Sequence, residues 1–502
     1  MANLTAEKWR RAELFYRLEC VGNPFTDISV RAEFASPTGR LVVLPGFYAG
    51  EGVWKVRFAP DEPGEWTWRV TLPGETDVGS LTCEDAPAKG LLRTDPDCPQ
   101  RLRFQNGDWF LPLGSGTESL TPPGFTETDA PDAAASLQAW LDYLDILSEH
   151  RINRLRLWLP PPQEPTSTLA PWPRHPSDGG FILTQFSLAY WDRLDRITAA
   201  AAQRDMVVEL VVFAEPSDAQ ADSEHLELFV RYLLARTAAF WNVYYSILGS
   251  DAGADAWLNR WIPLFRSLDP YSHLLSAPAV LAAERAPAAE LEQPPLLPDI
   301  VQLSADMVPE AGAKALSALW ACGKPYVVDD PHWVGSSRPN GDPDDPAMYT
   351  HERFWFWTVF VSGGGPCRVA WQSWTETPTL DWVRSLALFA DQVQWWTLRP
   401  DPDGIAQATC QAYCASSHTD IVLYCIGGGS GHKVVLRADP GNYLIRWFDP
   451  LAGEFVGDAT GYSDGRLPLE LPEFREDIAL LIRRIVPPPA HSAESGEETT
   501  PS

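Results

Sequence analysis

The sequence lacks the features of membrane-spanning and nucleic-acid-binding proteins. No run approaches the eighteen or so apolar residues of a transmembrane helix, and the opening MANLTAEKWRR has no apolar signal-peptide core. Basic residues are scarce: 39 Lys+Arg stand against 67 Asp+Glu, a net charge of −28. Such a chain repels phosphate backbones and anionic lipids. We therefore expect a cytoplasmic protein with no nucleic-acid or membrane partner, and a neutral sugar would be a compatible ligand.

Motifs for metals, phosphates and serine nucleophiles are also missing. The eight cysteines are scattered and form no zinc-type C-x-x-C set, so buried free thiols in a reducing compartment are expected. There is no G-x-S-x-G, no H-E-x-x-H and no G-x-x-x-x-G-K-[ST]. The glycine run at 427–431 lies in a β region, which predicts a hairpin turn. We expect no cofactor and no metal.

Tryptophan, in contrast, is abundant, with 22 residues. Its flat apolar ring stacks on the C–H faces of sugars. Most of these rings are expected to be core residues, so composition alone does not establish a sugar site.

The two ends of the chain have β patterns. Residues 1–88 contain alternating segments such as EWTWRVTLPG between Pro/Gly turns, which predicts an antiparallel β-sandwich. Residues 89–100 are predicted to be a linker, 399–486 a second β-sandwich, and 487–502 a disordered tail.

Between them, residues 101–398 alternate short apolar runs with helical stretches. This pattern predicts an α/β fold, a (β/α)₈ TIM barrel flanked by the two sandwiches. The eight predicted barrel strands lie near 109–115, 153–159, 206–213, 242–249, 273–279, 299–305, 325–330 and 367–372.

Active sites of such barrels lie at the C-terminal ends of the strands. Carboxylates and tryptophans are concentrated there, and paired carboxylates beside a Trp-lined cleft can hydrolyse glycosidic bonds. Each carboxylate alone could equally cap a helix or pair with an arginine. The candidates for substrate binding are Arg156, Trp158, Glu215, Ser250, Trp333, Trp371, Trp374 and Glu376.

Several motifs resemble those of multidomain (β/α)₈ glycoside hydrolases of the apiosidase-like kind. The similar stretches are NPFTDISVRAEF near the start, INRLRLWL and FWFWTVFVSGGG in the barrel, and NYLIRWFDPLAGEF near the end. The resemblance spans nearly the whole chain and implies N- and C-terminal β-sandwiches around a barrel whose catalytic carboxylates follow strands four and seven.

The resemblance implies roles for particular residues. Asp251 stands where the family has its acid/base Glu, and Asp330 where it has its nucleophile Glu. Ser250 replaces the family's usual Asn, while Arg156 keeps the arginine of the second strand. Each Asp withdraws its carboxyl by one methylene from a geometry that is sensitive at about the 1 Å level.

Two functions therefore remain open, with the enzyme slightly favoured. One is a glycoside hydrolase acting on plant or microbial oligosaccharides through Asp251 and Asp330. The alternative is a catalytically degenerate carbohydrate-binding protein; a structural scaffold is a more distant third. The sequence does not specify the sugar, the linkage or the oligomeric state.

Overall fold

The computed structural model describes residues 3–117, 120, 133–159, 169–177, 179–213, 223–248, 254–278, 298–303, 316, 320–328, 346–369 and 378–485. The chain divides into two compact units, residues 1–391 and residues 392–502.

The first unit begins with two β-sheets. Their strands are β1 Asn3–Glu7, β2 Ala12–Arg17, β3 Arg31–Ala35, β4 Leu41–Pro45, β5 Phe47–Gly50, β6 Val53–Phe58, β7 Gly64–Leu72 and β8 Glu75–Glu84. One sheet has the order β1-β8-β7-β3-β4 and the other β2-β6-β5. The predicted antiparallel arrangement holds except for β1 and β8, which are parallel. In β7, Trp66, Trp68 and Val70 alternate with exposed residues and are buried in the core of these sheets.

A small antiparallel sheet follows, formed by β9 Leu92–Thr94, β10 Leu102–Phe104 and β11 Trp109–Phe110. Its apolar side chains pack with residues at the beginnings of the barrel strands, including Val207 and Ile300. The small sheet therefore covers the N-terminal end of the barrel.

This arrangement changes two predicted boundaries. Residues 89–100 contain strand β9 and are not merely a linker. The run WFLPLGS was predicted as the first barrel strand, but its Trp-Phe pair belongs to the small sheet and the barrel strand starts at Gly114. Two short strands with only apolar residues between them look like one strand in a periodicity analysis.

Eight parallel strands close into the predicted barrel. They are β12 Gly114–Thr117, β13 Arg154–Trp158, β14 Val207–Val211, β15 Val243–Ser246, β16 Leu275–Pro278, β17 Ile300–Leu303, β18 Tyr326–Val328 and β19 Gly365–Val369. Each overlaps its predicted segment. The described helices are α1 Ala133–Glu149, α2 Leu188–Ala202, α3 Ser223–Thr237, α4 Ala254–Leu268, α5 Pro346–Val361 and α6 Thr379–Ala390. None of them is long and apolar enough to cross a membrane.

The N-terminal sheets dock on the barrel helices through a buried charge cluster. Arg57 of β6 is 4% exposed and donates to both carboxylate oxygens of Asp195 on α2, at 2.9 and 2.7 Å. Arg236 of α3 donates to the same carboxylate at 2.6 Å. These contacts connect one strand with two helices.

The second unit is an antiparallel β structure. Its strands are β20 Arg399–Pro400, β21 Ile405–Ala408, β22 Gln411–Ser416, β23 Asp420–Ile426, β24 Lys433–Asp449, β25 Glu454–Glu470 and β26 Asp477–Arg484. They form one hydrogen-bonded sheet because β24 pairs with β21 near its start and with β26 near its end. The pairing of β24 with β25 shifts register between Ala438 and Gly441. Side chains from both parts of β24 enter one core.

The glycine run at 427–431 is not a hairpin turn, so that prediction was wrong. It joins β23 to β24, and β26 lies between these two strands in the sheet. Gly429 is bridged to Phe474, which precedes β26. An added Cβ at Gly428 would lie 2.3 Å from the carbonyl oxygen of Arg475, so this crossing requires glycine there.

Candidate active site

The C-terminal ends of the barrel strands are the expected position of an active site in this fold. Of the predicted site residues, the structure describes Arg156 and Trp158, both on β13. Strand β15 ends five residues before Asp251, and β18 ends two residues before Asp330. The predicted residues that lie outside the described ranges are Glu215, Ser250, Asp251, Asp330, Trp333, Trp371, Trp374 and Glu376.

Inside the barrel, the carboxylate of Glu209 on β14 is fully buried and accepts hydrogen bonds from the two neighbouring strands, β13 and β15, and from two strands farther round the barrel, β16 and β17. Its Oε1 accepts from Ser276 at 2.8 Å and from the amide of Gln302. Its Oε2 accepts from Tyr244 at 3.0 Å and from Arg154. Both carboxylate oxygens are thus engaged, so Glu209 is suited to hold its neighbours in place rather than to carry protons.

The donors to Glu209 are themselves connected. Arg154 donates through Nε to the hydroxyl of Tyr244 at 2.7 Å. The amide of Gln302 also contacts the hydroxyls of Ser246 and Ser276, each at 3.0 Å. This network spans strands β13 to β17 and gives the barrel a polar interior.

Arg156 connects this network to the strand end. Its side chain is 2% exposed, and its Nε lies 3.7 Å from Oε2 of Glu209. Its guanidinium carbon lies 4.8 Å from the ring centroid of Trp158, which is half-buried at the last position of β13. A cation held against an aromatic face in this way is stabilised and oriented. Arg156 and Trp158 therefore lie together on β13.

Sequence reasoning missed Glu209, Tyr244, Ser276 and Gln302. The signal was present, because a central parallel strand is normally almost wholly apolar. VVELV and IVQL each place one polar residue in such a strand. The alternation in RLRLW of β13 likewise puts two arginines and a tryptophan on one side.

A cleft of about 710 Å³ opens at the opposite, N-terminal end of the barrel. It is lined by Phe104, Trp109, Arg151 and Asn153, among others, and bordered by an ion pair of Lys89 with Asp205 at 3.1 Å. In this fold that end serves stability, so the size of the cleft does not make it the reaction centre. Within the described part of the chain, no three His, Cys, Asp or Glu side chains form a group that could hold a metal ion.

Comparison with known proteins supports the fold. A family model described as a domain of unknown function (DUF5060) matches residues 5–73, in the N-terminal sheets. No curated protein matches the chain. A provisionally assigned glycoside hydrolase from Bacteroides vulgatus ATCC 8482 has a similar structure, with a TM-score of 0.73 at 18% identity over 96% of this chain and 100% of its own.

Two further solved structures are similar over a smaller part. A family 5 glycoside hydrolase from the same organism has a TM-score of 0.57 at 15% identity, covering 79% of this chain and 93% of its own. A structure described as a glycoside hydrolase has the same score and identity, covering 79% and 97%. At such identities the likeness establishes architecture only. The chain therefore has a TIM barrel flanked by β-rich regions, as in these solved structures.

Proposed function

We propose that this protein is a glycoside hydrolase that cleaves O-glycosidic bonds of plant or microbial oligosaccharides. The observation that carries the proposal is the closed parallel barrel in which Asp251 and Asp330 follow the fourth and seventh strands. The names of the structurally similar proteins agree with this chemistry.

In the proposed mechanism Asp251 protonates the leaving oxygen and Asp330 acts as nucleophile or as base. A retaining mechanism needs carboxyl groups about 5–5.5 Å apart, and an inverting mechanism needs about 6.5–9.5 Å with a water between them. Because Asp is one methylene shorter than Glu, a pair of Asp residues at these positions favours the wider spacing. Neither route requires a metal or an organic cofactor.

Arg156 and Trp158 are proposed to line the substrate site. The carboxylate of Glu209, inside the barrel, forms an ion pair with the guanidinium of Arg156 and so holds it in position. The ring of Trp158 offers a face for a sugar, and among the residues the structure describes its indole N–H has no hydrogen-bond acceptor. The remaining substrate contacts are proposed to come from Trp333, Trp371 and Trp374 by stacking, and from Glu215, Ser250 and Glu376 by hydrogen bonds.

The test is a panel of glycosides assayed with the wild type, Asp251→Asn and Asp330→Asn. Each substitution keeps the side-chain volume and removes the group that the mechanism uses, so turnover should fall by about a hundredfold to ten-thousandfold. Asp251→Asn should keep part of its activity on an aryl glycoside with a good leaving group, which needs little protonation, and Asp330→Asn should not.

Asp142→Asn on the exposed face of α1 is the matched control and should leave turnover unchanged. Equal rates in the wild type and both active-site variants would contradict the enzymatic proposal.

One observation favours the binding-protein alternative. Asp, which is one methylene shorter, stands at both positions where the resembled family has a catalytic Glu. In that case no glycoside is cleaved, but an oligosaccharide still binds. Trp158→Ala should then weaken binding by about 1 kcal/mol, roughly fivefold in Kd, because the stacking face is lost. Calorimetric titration of wild type and variant distinguishes the two functions.

A further inference from the structure

Two cysteines of the second unit lie side by side. Cys425 is buried in β23, directly opposite Ala412 of the neighbouring β22. Cys410 is half-buried and precedes β22 at the bend that follows β21. Both side chains belong to the same core, and Cys410, two residues before Ala412, is the diagonal neighbour of Cys425 across the two strands, within reach of a hydrogen bond from the Cys425 thiol.

The glycine crossing between β23 and β24 brings a third group to this pair. A Cβ added at Gly427 would lie 3.6 Å from Cβ of Cys410 and 4.0 Å from Cε1 of His432. His432 is held by a 2.7 Å hydrogen bond between its Nε2 and the carbonyl oxygen of Gly428. The imidazole is thereby fixed close to Cys410.

These neighbours make the two sulfurs chemically different. The hydrogen bond from Cys425 has the largest effect and lowers the pKa of Cys410 to about 7. Burial raises this pKa, and the charge of His432 lowers it further. The same hydrogen bond and burial raise the pKa of Cys425 well above its usual range. The pKa of the half-buried Cys410 is thus lowered while that of the adjacent buried Cys425 is raised, the arrangement typical of an attacking and a resolving cysteine.

We propose that Cys410 and Cys425 form an oxidisable pair that closes to a disulfide on reaction with a low-molecular-weight disulfide such as oxidised glutathione. The Cys410 thiolate attacks one sulfur of the small disulfide and releases a thiolate. Cys425 then loses its proton, attacks the Cys410 sulfur of the mixed disulfide and releases the second small thiol. Overall the two protein thiols are oxidised by two electrons, and one small disulfide is reduced to two thiols.

The test uses the full chain in glutathione buffers, followed by alkylation of free thiols and peptide mapping. After oxidation, the wild type should lose alkylation at Cys410 and Cys425 and yield a peptide that links them, and dithiothreitol should restore both. Cys425→Ser should instead accumulate one glutathione on Cys410, and Cys410→Ser should take up none at Cys425.

Cys414→Ser is the matched control, because Cys414 is also buried in this core and burial raises its pKa. This variant should still form the Cys410–Cys425 link. Full alkylation of both cysteines in the oxidised wild type would overturn the proposal, as would an absence of glutathione on Cys410 in Cys425→Ser. The wild-type mapping needs no variant, so a variant that fails to fold leaves the test decisive.

Discussion

Glu209 places a fully buried carboxylate inside the barrel, where it pairs with Arg154 and Arg156. Removing one partner of a buried ion pair costs much more than an exposed pair contributes, because the remaining charge is left without compensation. The side chain is therefore both a structural requirement of the barrel and the group that fixes Arg156.

Glu209→Gln tests this role. The change keeps the shape but removes the charge, so the free energy of unfolding of the barrel should fall by about 3–5 kcal/mol. Glu227→Gln is the control, since Glu227 is 42% exposed and pairs with Arg231 at 4.0 Å; it should cost less than about 0.5 kcal/mol. Urea unfolding of both variants gives the comparison, and similar losses in the two would refute a special role for Glu209.

The contact of β6 with α2 and α3 depends on Asp195, a single carboxylate between two arginines. Burial alone would raise the pKa of Asp195, but Arg57 and Arg236 outweigh burial and lower it. A carboxyl whose pKa is lower in the folded state stabilises the protein above its unfolded pKa, about 3.9, and this stabilisation is lost as pH falls through the folded value.

Asp195→Asn should therefore destabilise the chain at pH 7 by about 3–5 kcal/mol, because two arginines lose their buried partner. The difference from wild type should shrink as the pH is lowered towards about 2. Asp192→Asn is the control on the same helix: its carboxyl also binds Arg236 at 2.7 Å but is 56% exposed, so about 1 kcal/mol or less is expected. Thermal unfolding across this pH range measures both, and a difference that stays constant down to pH 2 would contradict the assignment.

The elements also show what could be predicted from sequence. The barrel strands were found because short apolar runs between helices are typical of parallel sheets. Strand β25 could not be predicted in full, because its first half is exposed and rich in glycine and so has no apolar alternation. The role of the 427–431 crossing was missed because turn residues do not show which strands they join; that is decided by the position of β26.

At the scale of the whole molecule, the architecture could be predicted from the hydrophobic pattern of the sequence, whereas the candidate site could be predicted only in part. Arg156 and Trp158 were predicted together and lie together. The network around Glu209 depends on which strands become neighbours, which a single sequence does not specify. The roles of Asp251 and Asp330 remain a prediction that rests on their positions after strands four and seven.

The proposed catalytic pair is tested most directly by the distance between the carboxyl groups of Asp251 and Asp330 in an experimental structure with a bound oligosaccharide. If Asp251 and Asp330 are the catalytic pair, both carboxyls face one cleft beside Trp158, about 5–9.5 Å apart, on either side of a glycosidic bond. Carboxyl groups that point away from a common cleft, or a sugar bound elsewhere on the barrel, would contradict it.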